Sequence, residues 1–295
     1  MKHTLKATII VLAMFVVTQL IGLYVINHYL QPGNILPFGL EPPEIEPAYA
    51  LPNILVAFVF AILLFLLISK FKLEVVMRIW FFSVVTIALS ISLLSVFYPL
   101  KYALIIVLVL SLVLAAIKIF QRNFLVHNFT ELLIYPGIAV LFVPLLTLWT
   151  AVVLLLLLSA YDVWAVRHSG IMMKMASFQI NKVKIFAGFF VPYASKKVRS
   201  QIRIWKKTLS KPKLRKKKVR VNVAILGGGD SAFPLIAAGV VLKTLGLSYA
   251  LFVIGGAVLG LSYILFTGEM KKPHPALPYI TAGILLALGL SYLIL

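Results

Sequence analysis

Long apolar runs, broken by short polar interruptions, recur from one end of the chain to the other. A helix that crosses a bilayer needs about 20 mostly apolar residues. Nine runs fit that pattern: Ala7–Ile26, Leu51–Ser69, Ile79–Phe97, Tyr102–Ile117, Glu131–Thr147, Leu148–Val166, Val221–Leu242, Leu247–Phe266 and Ala276–Leu295. The fifth is the weakest, because it carries Pro136 and Pro144. The stretch from Glu131 to Val166 is nevertheless too long for one crossing, so it divides near Pro144–Trp149. A second proline turn, Tyr98-Pro99-Leu100-Lys101, separates the third run from the fourth. The first run follows Lys2, His3 and Lys6, as a signal peptide would. Its apolar stretch exceeds a signal h-region, and no small-x-small cleavage site precedes Gln31-Pro32-Gly33-Asn34, so an uncleaved span is expected. The pattern predicts an all-α polytopic membrane protein with nine transmembrane helices.

Composition agrees: 62% of the 295 residues are apolar and 12% charged, against roughly half and about a quarter in a soluble domain. There are no cysteines, which removes disulfides, thiolate nucleophiles and cysteine metal clusters together. The net charge of +20 comes from 28 Lys and Arg against 8 Asp and Glu. Basic loops stay cytoplasmic. With nine spans and a cytoplasmic N-terminus, 26 of the 28 cations fall on the inner side, leaving only Lys101 and Lys243 outside. Glu41, Glu44 and Glu46 then lie in an outer loop, and the C-terminus is outside.

Seventeen of those cations stand between Arg167 and Arg220, a stretch with no acid. Its first part, Ile171 to Tyr193, mixes lysines with Met, Phe, Ile and Val and reads as an amphipathic segment in the membrane interface. Its second part, ending in Lys211 to Lys218, is a solvated charge run suited to anionic headgroups, with no nucleic-acid role expected. The chain thus divides into residues 1–166 with six spans, a basic cytosolic loop at 167–220, and 221–295 with three spans.

Neither a metal site nor a cofactor is expected. His3, His28, His127, His168 and His274 are scattered, each read as a loop or headgroup-level residue, and no His-Glu-x-x-His occurs. Gly227-Gly228-Gly229 lacks the Gly-Lys-Ser/Thr ending of a phosphate loop. Glu131 and Glu269, at span edges, are read as exposed to headgroups or paired with a nearby cation.

The two aspartates differ, since acids inside membrane spans are rare, costly and usually functional. Asp162 lies four residues before Val166, about 6 Å inside the membrane at a helical rise. Asp230 lies nine residues after Val221, roughly 13 Å deep by the same rise. One loop separates the two spans, so both acids enter from the same face. Two carboxyls brought together in a poorly solvated site share a proton, which supplies an acid and a base side by side. That pair suits aspartic hydrolysis of a peptide bond; it also suits a proton- or cation-coupled transporter or leak channel, or simple packing within the bundle.

Three neighbouring motifs extend the picture: Tyr161-Asp162 in the sixth run, Gly227-Gly228-Gly229-Asp230 in the seventh, and Pro275-Ala276-Leu277 opening the ninth. In these residues and their order the chain resembles the presenilin and signal peptide peptidase family of intramembrane aspartyl proteases, as a compact, prokaryotic or archaeal homologue. The resemblance implies a catalytic pair at Asp162 and Asp230, with Tyr161, Gly227, Gly228, Gly229, Pro275, Ala276 and Leu277 binding or positioning substrate. It implies no cofactor, a location in the cell membrane, and substrates that are single-span membrane proteins or signal peptides; a homo-oligomer is left open. Gly228 departs from relatives, which more often carry a larger apolar residue there.

Overall fold

The computed structural model describes residues 4–41, 46–71, 74–121, 123–169, 186–193, 198, 200, 222–268 and 274–294. Nine α-helices stand among them: α1 (Leu5–Leu30), α2 (Pro47–Phe71), α3 (Glu74–Phe97), α4 (Ala103–Phe120), α5 (Phe124–Phe142), α6 (Leu148–Trp164), α7 (Gly228–Leu245), α8 (Leu247–Thr267) and α9 (Leu277–Ile294). Two strands, β1 (Gly188–Tyr193) and β2 (Asn222–Gly227), stand between α6 and α7. The chain is a mostly helical, multi-pass membrane protein. Among the described residues seven helices are long and apolar enough to cross a bilayer.

Local signals set the helix ends. The Thr4 hydroxyl accepts the Ala7 N–H at the start of α1, and the Asn123 side chain accepts the Leu125 N–H at the start of α5. Thr147 and Thr150 cap α6 reciprocally. The turn from α7 into α8 passes through Gly246 at φ +100°, a conformation that glycine adopts without strain.

The largest correction concerns the seventh apolar run. It is not one helix from Val221. Its first described residues, Asn222 to Gly227, form a strand paired antiparallel with β1, in the register Gly188↔Gly227 to Tyr193↔Asn222. Helical geometry begins only at Gly228, so a depth for Asp230 counted at a helical rise from Val221 does not hold. The same pairing corrects the end of the basic stretch: Gly188–Tyr193 is strand, whereas residues 170–185 and the charge run at 201–221 lie outside the described residues. Side chains alternate across a strand. Phe189, Val191, Ala224 and Leu226 accordingly turn into the main core, while Val223 and Ile225 are exposed.

That core joins α1, α5, α6, α7, α8 and α9 to the sheet; a smaller one gathers α3, α4 and α5. Helices α8 and α9 approach with backbones in contact. A Cβ on Gly256 would run into the Gly283 carbonyl, and one on Gly260 into the Tyr279 carbonyl. Small residues four apart permit this approach between membrane helices. It holds α9, and with it Leu277, against the rest of the bundle.

Candidate active site

Asp162 lies two residues before the end of α6 and is 8% exposed. Its Oδ2 accepts the Leu277 backbone N–H at 3.2 Å. Leu277 is the first residue of α9, where the opening N–H groups have no partner within the helix. Ala276 caps that helix with its carbonyl, which accepts from Tyr279 and Ile280, and Pro278 sits in the first turn, where a missing N–H costs nothing. The helix start therefore offers Asp162 a donor at its positive end. One turn deeper, the hydroxyls of Ser159 and Thr281 meet at 2.8 Å and tie α6 to α9 a second time.

Asp230 stands in the first turn of α7, reached from β2 through the glycine triplet. The carboxylate folds back over the turn: a Cβ on Gly227 would come within 3.2 Å of its Oδ2. The Gly228 N–H donates to the Ala187 carbonyl at 3.2 Å, which extends the sheet pairing by one step into the helix.

The two aspartates, 68 positions apart by their numbering, line one cavity of about 360 Å³ together with Tyr161, Gly227, Gly228, Gly229 and Leu277. Phe58, Ile62, Leu158, Phe186, Ala187 and Phe233 complete an apolar wall. Tyr161 packs edge-on against Phe58 of α2, with ring centroids 5.3 Å apart. Of the nine residues singled out in sequence, Pro275 and Ala276 do not line the cavity; Pro275 is buried beside it and Ala276 caps α9. Among the described residues no group of three or more His, Cys, Asp and Glu side chains could hold a metal ion.

The sheet beside the cavity has unequal edges. The bond from Gly228 to Ala187 sets the alternation of the ladder, so Gly188, Phe190 and Pro192 of β1, and Val223, Ile225 and Gly227 of β2, turn their backbone groups outward. On β1 three of those groups, the Gly188 carbonyl and both groups of Phe190, are taken by side chains of α5. His127 Nε2 lies 2.8 Å from the Gly188 carbonyl, and the Asn128 side chain both donates to the Phe190 carbonyl at 2.7 Å and accepts its N–H at 2.9 Å. Pro192 has no N–H to offer. Among the described residues nothing covers the outer edge of β2 in this way.

Sequence reasoning missed this grip. His127 does not stand at a loop or free at headgroup level; it sits in α5, bonded to β1. Glu131 is 1% exposed and not bathed in headgroups, and the expected pairing with a cation is present: Lys118 Nζ lies 2.6 Å from Oε1. The available signal was the recurrence of His127, Asn128, Glu131 and Tyr135 along one side of an otherwise apolar helix.

Comparisons with known proteins bear on the whole chain. No curated protein matches it. Two of the solved structures that share its fold are described as presenilin family proteases. The structure of a presenilin family intramembrane aspartate protease in a C222 crystal form is 17% identical, covers 98% of this chain and 99% of its own, and superposes with a TM-score of 0.62. The structure of such a protease in a P2 crystal form is 18% identical, covers 97% of each chain and gives 0.63. The model of the family described as signal-peptide peptidase, presenilin aspartyl protease matches residues 7–294. With a family match over nearly its full length, the chain belongs to the signal-peptide peptidase and presenilin aspartyl proteases, and is an aspartic-type endopeptidase of the intramembrane kind.

Proposed function

We propose that the protein hydrolyses peptide bonds within transmembrane helices of other proteins, with Asp162 and Asp230 as the acid–base pair. The observation that carries this reading is that α6 and α7 bring both aspartates to the wall of one cavity, with the edge of β2 that is unpaired among the described residues alongside. One carboxylate takes a proton from water as the water oxygen bonds to the carbonyl carbon, while the protonated partner gives its proton to the carbonyl oxygen. The carboxyl that took the water proton then passes it to the amide nitrogen, the C–N bond breaks, and a hydroxyl of the tetrahedral intermediate gives its proton to the other carboxylate. An amine and a carboxylic acid leave, and the pair again holds one proton.

A helical substrate keeps its carbonyls in internal hydrogen bonds, so it must unwind before attack. Val223, Ile225 and Gly227 offer an unwound segment the partners it has lost, by strand addition. The edge of β1 is closed by His127 and Asn128, and the Leu277 amide is engaged by Asp162, so neither serves this purpose. Tyr161, Gly228, Gly229 and Leu277 line the space next to the bond to be cut, and Pro275 and Ala276 fix the start of α9.

The same reading sets nine spans with a cytoplasmic N-terminus and an outer C-terminus in the cell membrane. Residues 1–166 carry Asp162, the basic stretch at 167–220 meets anionic headgroups on the cytosolic side, and 221–295 carry Asp230 and Leu277. Single-span membrane proteins and signal peptides are the substrates it fits. Neither the family match nor the shared fold lends support to a transporter.

The test is cleavage of a single-span substrate by purified protein in detergent, comparing the parent with Asp162→Asn and Asp230→Asn. Each variant is expected to lose cleavage while keeping its fold. Cleavage that survives both substitutions rejects the pair, and aspartate-dependent ion flux without cleavage supports the transporter instead.

A further inference from the structure

The polar side of α5 reaches the glycine turn as well as β1. Tyr135, one turn beyond Glu131, is 3% exposed, and its hydroxyl makes no short hydrogen bond; the polar group it faces on its own helix is the Glu131 carboxylate. It points at the turn: a Cβ on Gly228 would come within 2.9 Å of the hydroxyl oxygen and 3.2 Å of ring carbon Cε1, with the next atom, the Ala187 carbonyl, at an ordinary 3.4 Å. The ring stands edge-on to Phe189 of β1, centroids 5.7 Å apart. Behind it lies Glu131, bonded to Lys118 through Oε1, with Oε2 also buried and unpaired. Glu131 and Asp230 are both within electrostatic reach of the hydroxyl.

For packing alone, phenylalanine would fill this position, because a buried hydroxyl that makes no short hydrogen bond gains little. A side chain on the facing residue would have to displace the oxygen. Two features of the sequence, Tyr135 and Gly228, thus meet at one atom.

We propose that Tyr135 is a positioning residue for the reaction: its hydroxyl, pressed against Gly228, sets the turn through which Asp230 is presented to the cavity, and the Lys118–Glu131 pair backs it. The proposal rests on the reading of Asp162 and Asp230 as the acid–base pair. It differs from a packing role in what it predicts for rate, and in coupling two positions from distant parts of the chain.

The experiment measures kcat, KM and thermal unfolding for purified Tyr135→Phe, Gly228→Ala and the double variant, with a single-span substrate in detergent. Asp162→Asn and Asp230→Asn are run alongside. Tyr135→Phe is expected to keep its fold and to keep KM within about twofold, yet to lose about tenfold in kcat, some 1.4 kcal/mol in the barrier. Gly228→Ala is expected to lose more, because its methyl meets the hydroxyl. In the double variant the closer of the two contacts, the hydroxyl, is gone and only ring carbon Cε1 remains at 3.2 Å, so at least threefold of the activity lost by Gly228→Ala returns. Tyr135→Phe with full kcat, or a double variant whose losses simply multiply, overturns the proposal even where both aspartate variants are inactive. Aspartate variants that still cleave overturn the reading beneath it.

Discussion

Replacing Lys118 by methionine removes one half of an ion pair shut off from solvent. Lys118 and Glu131 meet at 2.6 Å, and their side chains are 3% and 1% exposed. What remains beside Glu131 is the Tyr135 hydroxyl and His127, whose Nδ1 itself lies 3.2 Å from the Lys118 ammonium. His127 Nε2 is 3.6 Å from Oε1 and already lies against the Gly188 carbonyl, and Oε2 is buried without a partner. Removing one partner of a buried pair costs about 3–5 kcal/mol, whereas replacing both by apolar residues of similar volume is often neutral or stabilising. Lys118→Met and Glu131→Met are each expected to lose at least about 3 kcal/mol by this reasoning, and the double variant to lose less than either. Equilibrium unfolding in mixed micelles, read by circular dichroism, measures all three against the parent. Single losses below about 1 kcal/mol, or losses that add in the double variant, would refute the argument that the pair is dry and mutually dependent.

Three further outcomes follow from the geometry. Gly283→Ala places a methyl on the Gly256 carbonyl and is expected to cost roughly 1–3 kcal/mol, the range for overpacking, and to reduce cleavage by moving α9; thermal unfolding and a cleavage assay check both. Asn128→Ala removes both bonds to Phe190, and at about 1 kcal/mol per bond it should speed hydrogen exchange of β1 amides by at least about tenfold, as read by mass spectrometry. Ser159→Ala leaves the Thr281 hydroxyl buried without its partner and is expected to cost about 1–3 kcal/mol, while Ser159→Ala combined with Thr281→Val recovers most of the loss in the same unfolding assay.

The helices were legible because the bilayer sets a length rule that apolar runs satisfy or fail. Each expected run overlaps a helix, and ends such as Phe97 and Leu148 agree with the expected boundaries, whereas α5 begins at Phe124, seven residues before the expected Glu131. The strand was not legible. Val223, Ala224, Ile225 and Leu226 form a short apolar run, and such a run suits a buried helix and a strand equally when periodicity is the only guide. The glycine triplet marked the break, though not what preceded it. Both aspartates and the order of the motifs could be read from spacing, since proximity required only that two spans enter from one face. The support behind them could not: Lys118, His127, Asn128 and Tyr135 acquire meaning only when α4 and α5 meet β1 and the turn at Gly228.

The unequal edges of the two-stranded sheet also govern water. Backbone N–H and C=O groups withdrawn from solvent without partners are costly, most of all at membrane depth. With β1 held at Gly188 and Phe190 and the outer groups of Val223, Ile225 and Gly227 unmatched among the described residues, that edge of β2 calls on water or on an added strand. Under the function proposed above, an arriving strand exchanges hydration for its own amides, and the solvent it displaces is released beside Asp162 and Asp230, where hydrolysis would consume a water. Hydration of the sheet edge and readiness to hydrolyse are then one property, set by a strand paired on one side alone among the described residues.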